Sequence, residues 1–409
     1  MKKIRKSKTI ILGTGLMLML LSGATLAQSG GTSRTQDEQN MTAGAATHGS
    51  KTAYQQKLQD AYQDFNGERY PKATAELQEV LRKEPDNLTA HKMMAAIYQK
   101  QNKVAEMIPE LEAVARLDPK DANTQNNLGV AYLQTGSFDK AVAIFKAAQA
   151  RSPKDATTAY DLGLALLQVG KTGEAIPAFQ TAIKLKPTAV AYVQLGAALE
   201  QSGKHAEAAT AFEAASSLDP KDAQAVLYAG MMYHQTGHDD KAIPALQRAL
   251  ALGVQDKFGA HMVLAEAYGH AGKTAQAITE YKMASVVKPD DFGAAANLGV
   301  LSQNAGSKAE AVAAYRRALT LKAPVPEAMA QVQDSLGEML AQEGNADEAV
   351  TLLMQAAQGD PKNAQYAGDL GQVYEKQGKK DLAVAAYQKA LALDAHQPEA
   401  RQGLARLKK

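Results

Sequence analysis

The chain has 409 residues, no cysteine, no tryptophan and a formal net charge of +2, which leaves no disulfide framework, thiolate nucleophile, thiolate metal site or acylated N-terminal cysteine. The basic excess is local: Lys2, Lys3, Arg5, Lys6 and Lys8 lie in the first eight residues, and beyond residue 27 the count is 40 basic against 43 acidic, a net of −3. A near-neutral chain with no basic stripe has little to offer a phosphate backbone, so no nucleic-acid partner is expected.

In chain order, residues 1–27 carry that basic head, an uncharged apolar stretch from Ile10 to Leu21, and a small-residue tail ending at Ala27. This is the layout of a secretory signal peptide with cleavage after Ala27. The alternative is an uncleaved signal anchor, since residues 9–27 give 19 uncharged positions, barely enough to span a bilayer. The first reading makes the protein exported, periplasmic or secreted. The second anchors it in the inner membrane facing the periplasm, its one membrane contact. Residues 28–52 are Gly, Ser, Thr, Ala, Gln and Asn with almost no large apolar side chain, and are expected to form a disordered linker.

From residue 53 onward one pattern repeats. In Ala122 to Asp155, Leu128, Tyr132 and Leu133 mark the apolar stripe of one helix, and Ala141, Phe145 and Ala148 that of a second. Gly136-Ser137 separates them and Pro153 closes the unit, so the spacing predicts a helical hairpin with Ser137 capping the second helix. The closing proline recurs at Pro85, Pro119, Pro187, Pro220, Pro289 and Pro361, with Pro324 one place late and Val254 and Ala395 in two further copies. Twelve residues before each closing position stands an alanine (Ala73, Ala141, Ala175, Ala208, Ala242, Ala277, Ala311, Ala349, Ala383), replaced once by Met107. Eight before it is Leu77, Leu111, Phe145, Phe179, Phe212, Leu246, Tyr281, Tyr315, Leu353 or Tyr387. This resembles the tetratricopeptide repeat (TPR), a helix–turn–helix unit of about 34 residues. The resemblance implies an all-α, right-handed superhelical solenoid, with no sheet.

Ten repeats are expected, at about 53–87, 88–121, 122–155, 156–188, 189–222, 223–256, 257–291, 292–325, 326–363 and 364–397, followed by a C-terminal capping helix over 398–409. Ala323-Pro324-Val325-Pro326-Glu327 adds four residues, predicting that the first helix of repeat nine starts a turn early, near Glu327. Pro109, Pro177 and Pro244 share a column inside the second helices and are expected to be tolerated kinks.

TPR proteins bind along the concave side, lined by the first helices. Carried over from the family's lining positions, the groove of repeats three to six would present Asn126, Val130, Leu133, Tyr160, Leu164, Leu167, Val193, Ala197, Leu227, Met231 and His234. That is an apolar trough, edged by Gln134, Gln168, Gln201 and Gln235. Further along the wall is expected to turn acidic, through Glu266, Asp334, Glu338, Asp369 and Glu375, while Lys92 and Lys100 stand near its start. Two family sub-patterns are missing. Lys92 is followed by Ala96 and Asn126 by Val130, so the chaperone-tail carboxylate clamp is not formed. The column Asn127, Asp161, Gln194, Tyr228, Val263, Asn297, Ser335, Asp369 is no asparagine ladder, although Asn127, Gln194 and Asn297 suit a peptide backbone.

No nucleophile elbow, phosphate loop or His-Glu-x-x-His occurs, so no enzyme, cofactor or metal is expected. His234 and His270 are placed near one another on adjacent repeats, but without a supporting carboxylate in view they read as polar groove residues. The function implied is a scaffold or adaptor that binds protein or peptide segments, in assembly or stabilisation of a cell-envelope or secretion complex. The alternative is an accessory protein for polysaccharide binding or export. It would want aromatic platforms, and the groove offers only Tyr160 and Tyr228.

Overall fold

The computed structural model describes residues 53–408, which divide into two compact units, 53–220 and 221–408. The expected signal peptide and linker lie outside the described residues. The first unit contains five helical hairpins: α1 (Ala53–Asn66) with α2 (Tyr70–Lys83), α3 (Leu88–Lys100) with α4 (Val104–Leu117), α5 (Ala122–Gln134) with α6 (Phe138–Arg151), α7 (Ala156–Gln168) with α8 (Thr172–Leu185), and α9 (Ala189–Gln201) with α10 (His205–Leu218). The second unit continues with α11 (Ala223–Gln235) and α12 (Asp239–Ala251), α13 (Lys257–His270) and α14 (Thr274–Val287), α15 (Phe292–Asn304) and α16 (Lys308–Leu319). It ends with α17 (Pro326–Glu343) and α18 (Ala346–Gly359), α19 (Ala364–Lys376) and α20 (Lys380–Leu393), and the single helix α21 (Pro398–Leu407). The described residues contain no strand. Among them, no helix is long and apolar enough to cross a membrane.

The repeated columns are the interior. Every alanine of the first column, from Ala73 to Ala383, is completely buried, and so are Leu77, Phe145, Phe179, Phe212, Leu246, Tyr315, Leu353 and Tyr387 of the second. Burying one such large side chain contributes roughly 1.5–3 kcal/mol. The second column packs on a third, sixteen residues earlier, that admits only small residues. A Cβ added at Gly129 would lie 2.6 Å from the Phe145 ring, and at Gly299 it would lie 2.5 Å from the Tyr315 ring. The two helices of a hairpin therefore close on a ring that occupies the space a larger side chain would need. Alanine, the next smallest residue, fills the same column at Ala61, Ala95 and Ala265.

The turns within hairpins are closed by backbone. Gly136 has φ +75°, its N–H donates to the Leu133 carbonyl at 3.2 Å, and the Ser137 N–H donates to the Tyr132 carbonyl at 2.8 Å. This is the left-handed C-terminal motif that glycine adopts without strain. The expected capping by Ser137 is corrected here: its side chain makes no cap hydrogen bond, because the glycine turn already fixes the geometry. Side-chain caps instead open the first helices. Asn87, Asp121, Asp155, Asp222, Asp256, Asp291 and Asn363 each accept from a backbone N–H of the first turn. Each stands two residues after a closing position, a proline except at Val254, so the acid or amide starts the next helix.

Helix α17 begins with Pro326 at its first turn and runs 18 residues, against 13 for α15, and ends on Gly344 at φ +91°. Pro109, Pro177 and Pro244 each occupy the sixth position of their helix and face solvent. At the C-terminus, Arg406 on α21 donates through Nε and Nη2 to the two Glu375 oxygens, both at 2.8 Å.

Candidate functional site

Within the first unit, the first helices of neighbouring repeats approach one another, α5 with α7 and α7 with α9. The residues expected to form the apolar trough lie on these helices. Asn126, Val130 and Leu133 on α5 and Tyr160, Leu164 and Leu167 on α7 are spaced i, i+4, i+7, which puts each set on one helix face. Asn126, Val130, Tyr160, Leu164, Leu167 and Val193 are all half-buried, seated by neighbours yet reachable. Gln134, Gln168 and Gln201 at the helix ends are exposed.

Tyr160 ties this wall to the core. Its ring lies 5.8 Å from that of Phe179, tilted by 59°. Burial, with the neighbouring Asp161 carboxylate, pushes its phenol up to about 12, so it stays a neutral hydroxyl. Asp161 itself is buried with Oδ2 lacking a hydrogen-bond partner. Burial, and then the charge of Asp155, pushes its carboxyl up to about 7.

The other expected lining residues sit deeper. Leu133 and Ala197 are each 8% exposed, Met231 is 4% exposed and Leu227 is fully buried. For Leu227 and Met231 the expectation is therefore corrected: position on the inner face is not access, and in α11 these side chains serve packing. Asn297 is also buried, bonded to the Tyr281 hydroxyl, which removes it from any backbone-reading role.

The expected acidic wall of the second unit is corrected too. The Arg406 guanidinium, opposing a smaller effect of burial, holds the Glu375 carboxyl below its usual range; Tyr387 adds a hydrogen bond at 2.6 Å. Asp334 and Asp369 are buried rather than solvated, with Glu338 close to both. Near the chain start, Lys92 Nζ pairs with Asp121 Oδ2 at 2.7 Å. Lys92 and Glu375 are thus paired within the protein, whereas Asp334, Glu338 and Asp369 form a cluster of three carboxylates.

His234 is half-buried at the end of α11 and does not stand alone. Its Nδ1 lies 2.6 Å from Asp239 Oδ1 and its Nε2 lies 3.4 Å from Glu266 Oε2. His270 Nδ1 lies 3.4 Å from Asp239 Oδ2, and the two imidazole centroids are 5.1 Å apart. The two histidines do meet, and the supporting carboxylates missing from the sequence reading are Asp239 and Glu266. One signal was available, because Glu266 and His270 are four apart on one helix. Asp239 could not be found that way, since it starts a different helix across the Gly237 turn.

Comparison with known protein families agrees with this architecture. Tetratricopeptide repeat models match residues 121–188, 193–257, 235–287, 262–326 and 335–400. The chain is 45% identical over 53 residues to cellulose synthase operon protein C of Escherichia coli (strain K12), a stretch amounting to 13% of this chain and 5% of that protein. It therefore spans about 5% of the length of that curated relative. Among solved structures, the MamA protein is similar at 26% identity, with 40% of this chain and 91% of that one covered and a TM-score of 0.39. YrrB, described as a TPR protein with an unusual peptide-binding site, is similar at 21% identity, with 48% and 97% covered and a TM-score of 0.39. With the family matched over more than half its length and the repeat columns buried in every hairpin, the chain belongs to the tetratricopeptide repeat family.

Proposed function

We propose that the protein is an exported, non-catalytic scaffold that binds protein or peptide segments along the first-helix wall of its first unit, and that it serves assembly or stability of a cell-envelope or secretion complex. The observation that carries this is the half-buried apolar set Val130, Tyr160, Leu164, Leu167 and Val193, held in register on the first helices of three successive repeats. A solvated wall with no ligand gains nothing from repeated large apolar groups, whereas a peptide gains anchoring pockets from them. The exposed glutamines at the rim supply donors and acceptors for a ligand backbone. Export rests on the basic, apolar and small-residue order of residues 1–27.

The test is paired capture from an envelope extract of the source organism. The full chain is compared with a variant carrying Tyr160, Leu164, Leu167 and Val193 changed to Ser, both checked for folding by circular dichroism. Loss of the same captured proteins from the variant supports the reading, and equal capture by both overturns it. The stretch shared with cellulose synthase operon protein C favours one second reading, polysaccharide export. Retention on immobilised cellulose or another β-glucan, with no protein captured, would select it.

A further inference from the structure

We propose that His234, Asp239 and His270 form a binding site for a divalent transition-metal ion of the zinc class. The three residues come from the last turn of α11, the first turn of α12 and the last residue of α13. One ligand atom from each lies within 4.8 Å of the other two. Two imidazoles and a carboxylate are the donor set that suits zinc and its neighbours, and not magnesium or calcium, which take oxygen alone.

The distances fit the same ion. At metal–ligand distances of about 2.0–2.1 Å, tetrahedral geometry sets donors about 3.3 Å apart. His270 Nδ1 and Asp239 Oδ2 are already at 3.4 Å. His234 Nδ1 lies 2.6 Å from the other oxygen, Oδ1, so one ion is held either across both oxygens of Asp239 or after side-chain rotation that turns a single oxygen to both rings, within the 4.8 Å span of the cluster. Glu266 completes the arrangement. With Nδ1 of His234 given to the ion, its Nε2–H faces Glu266 Oε2 at 3.4 Å, the carboxylate–histidine–metal relation that fixes ring orientation and tautomer. Charge balances as well, since the carboxylates of Asp239 and Glu266 together neutralise a dication bound by two neutral imidazoles. His270 is 59% exposed, so the fourth position opens to solvent, where water or a donor from a bound partner can enter. The ion would link two successive hairpins, α11–α12 and α13–α14, at their turns. This does not depend on what occupies the trough of the first unit.

The test is zinc titration of the untagged, chelator-treated full chain by calorimetry, with cobalt(II) absorption as a second readout of tetrahedral nitrogen–oxygen ligation. The expected result is one equivalent bound with micromolar or tighter affinity and a zinc-dependent rise in thermal midpoint. His270→Ala, at an exposed position that should not disturb folding, and His234→Ala should each weaken binding at least tenfold. Glu266→Gln should weaken it by roughly tenfold with the stoichiometry kept. His261→Ala, which alters a separate histidine–carboxylate pair with Glu280, should leave it unchanged. No saturable binding, or binding indifferent to His234 and His270, overturns the proposal and leaves the cluster as a histidine–carboxylate hydrogen-bond network.

Discussion

The first-helix wall of the first unit and that of the second are built on the same repeat yet are furnished oppositely. On α5, α7 and α9 the wall shows half-buried aliphatic and aromatic groups, with few charges. On α11, α13, α17 and α19 it shows His234, Glu266, Asp334, Asp369 and Glu375, buried or paired with partners of the same unit. The scaffold columns, by contrast, are alike in both: Ala141 with Phe145 is as buried as Ala383 with Tyr387. A repeat therefore separates two tasks by position. The alanine, aromatic and small-residue columns fix hairpin geometry, while the lining positions are free to diverge between an apolar trough and a network of charges.

The largest expected effect breaks the scaffold and leaves the wall chemistry alone. Phe145→Ala should cost about 3–5 kcal/mol, as removal of a fully buried ring does, and chemical denaturation should show it. Leu164→Ser on the wall should cost clearly less, because that side chain is only half-buried. Equal losses would erase the distinction between the two kinds of column.

Next comes pH. Asp161 is raised to about 7 by burial and by Asp155, above the ordinary carboxyl value it has in the unfolded chain. The folded chain thus holds a proton that the unfolded chain releases, and stability should fall as pH rises from about 4 to 7. At 1.36 kcal/mol per unit the loss is about 4 kcal/mol at most. Asp161→Asn should flatten this slope and stabilise the first unit at pH 8 in parallel denaturation series. An unchanged slope would show that Asp161 finds water on ionisation.

A smaller effect sharpens the comparison at the start of the chain. The first two hairpins place Glu68 and Asn102 at φ +56° where later repeats use glycine. Glu68→Gly should stabilise by up to about 1 kcal/mol, relieving left-handed strain at a non-glycine residue. The same change at Asn102 should give less, since asparagine tolerates that region. The smallest effect is at the other end: Arg406→Gln, which removes a half-exposed pair with Glu375, should cost under about 1 kcal/mol and matter less in high salt.

Much of the fold was legible because the closing, alanine and large apolar columns recur in phase, as Pro153, Ala141 and Phe145 do. The candidate site was only partly legible. Helical spacing tells which face Leu227 and Met231 share, but not depth, which depends on how closely the next helices approach. The approach of His234 to His270 was legible, but Asp239 was not, because it starts a separate helix across a turn and has no sequence offset from His270 that periodicity would reveal. Glu375 was misjudged for a related reason: composition counted it without its partner Arg406, 31 residues away on another helix.

The most direct measurement is the dissociation constant of a captured partner for matched inner and outer variants of the first unit. Leu164→Ser with Leu167→Ser would be set against Leu185→Ser with Leu218→Ser, two exposed leucines on second helices. At least tenfold weaker binding for the inner pair, with the outer pair at the wild-type value, is the predicted result. Weakening by the outer pair alone would place the ligand on the opposite side and contradict the assignment of the trough.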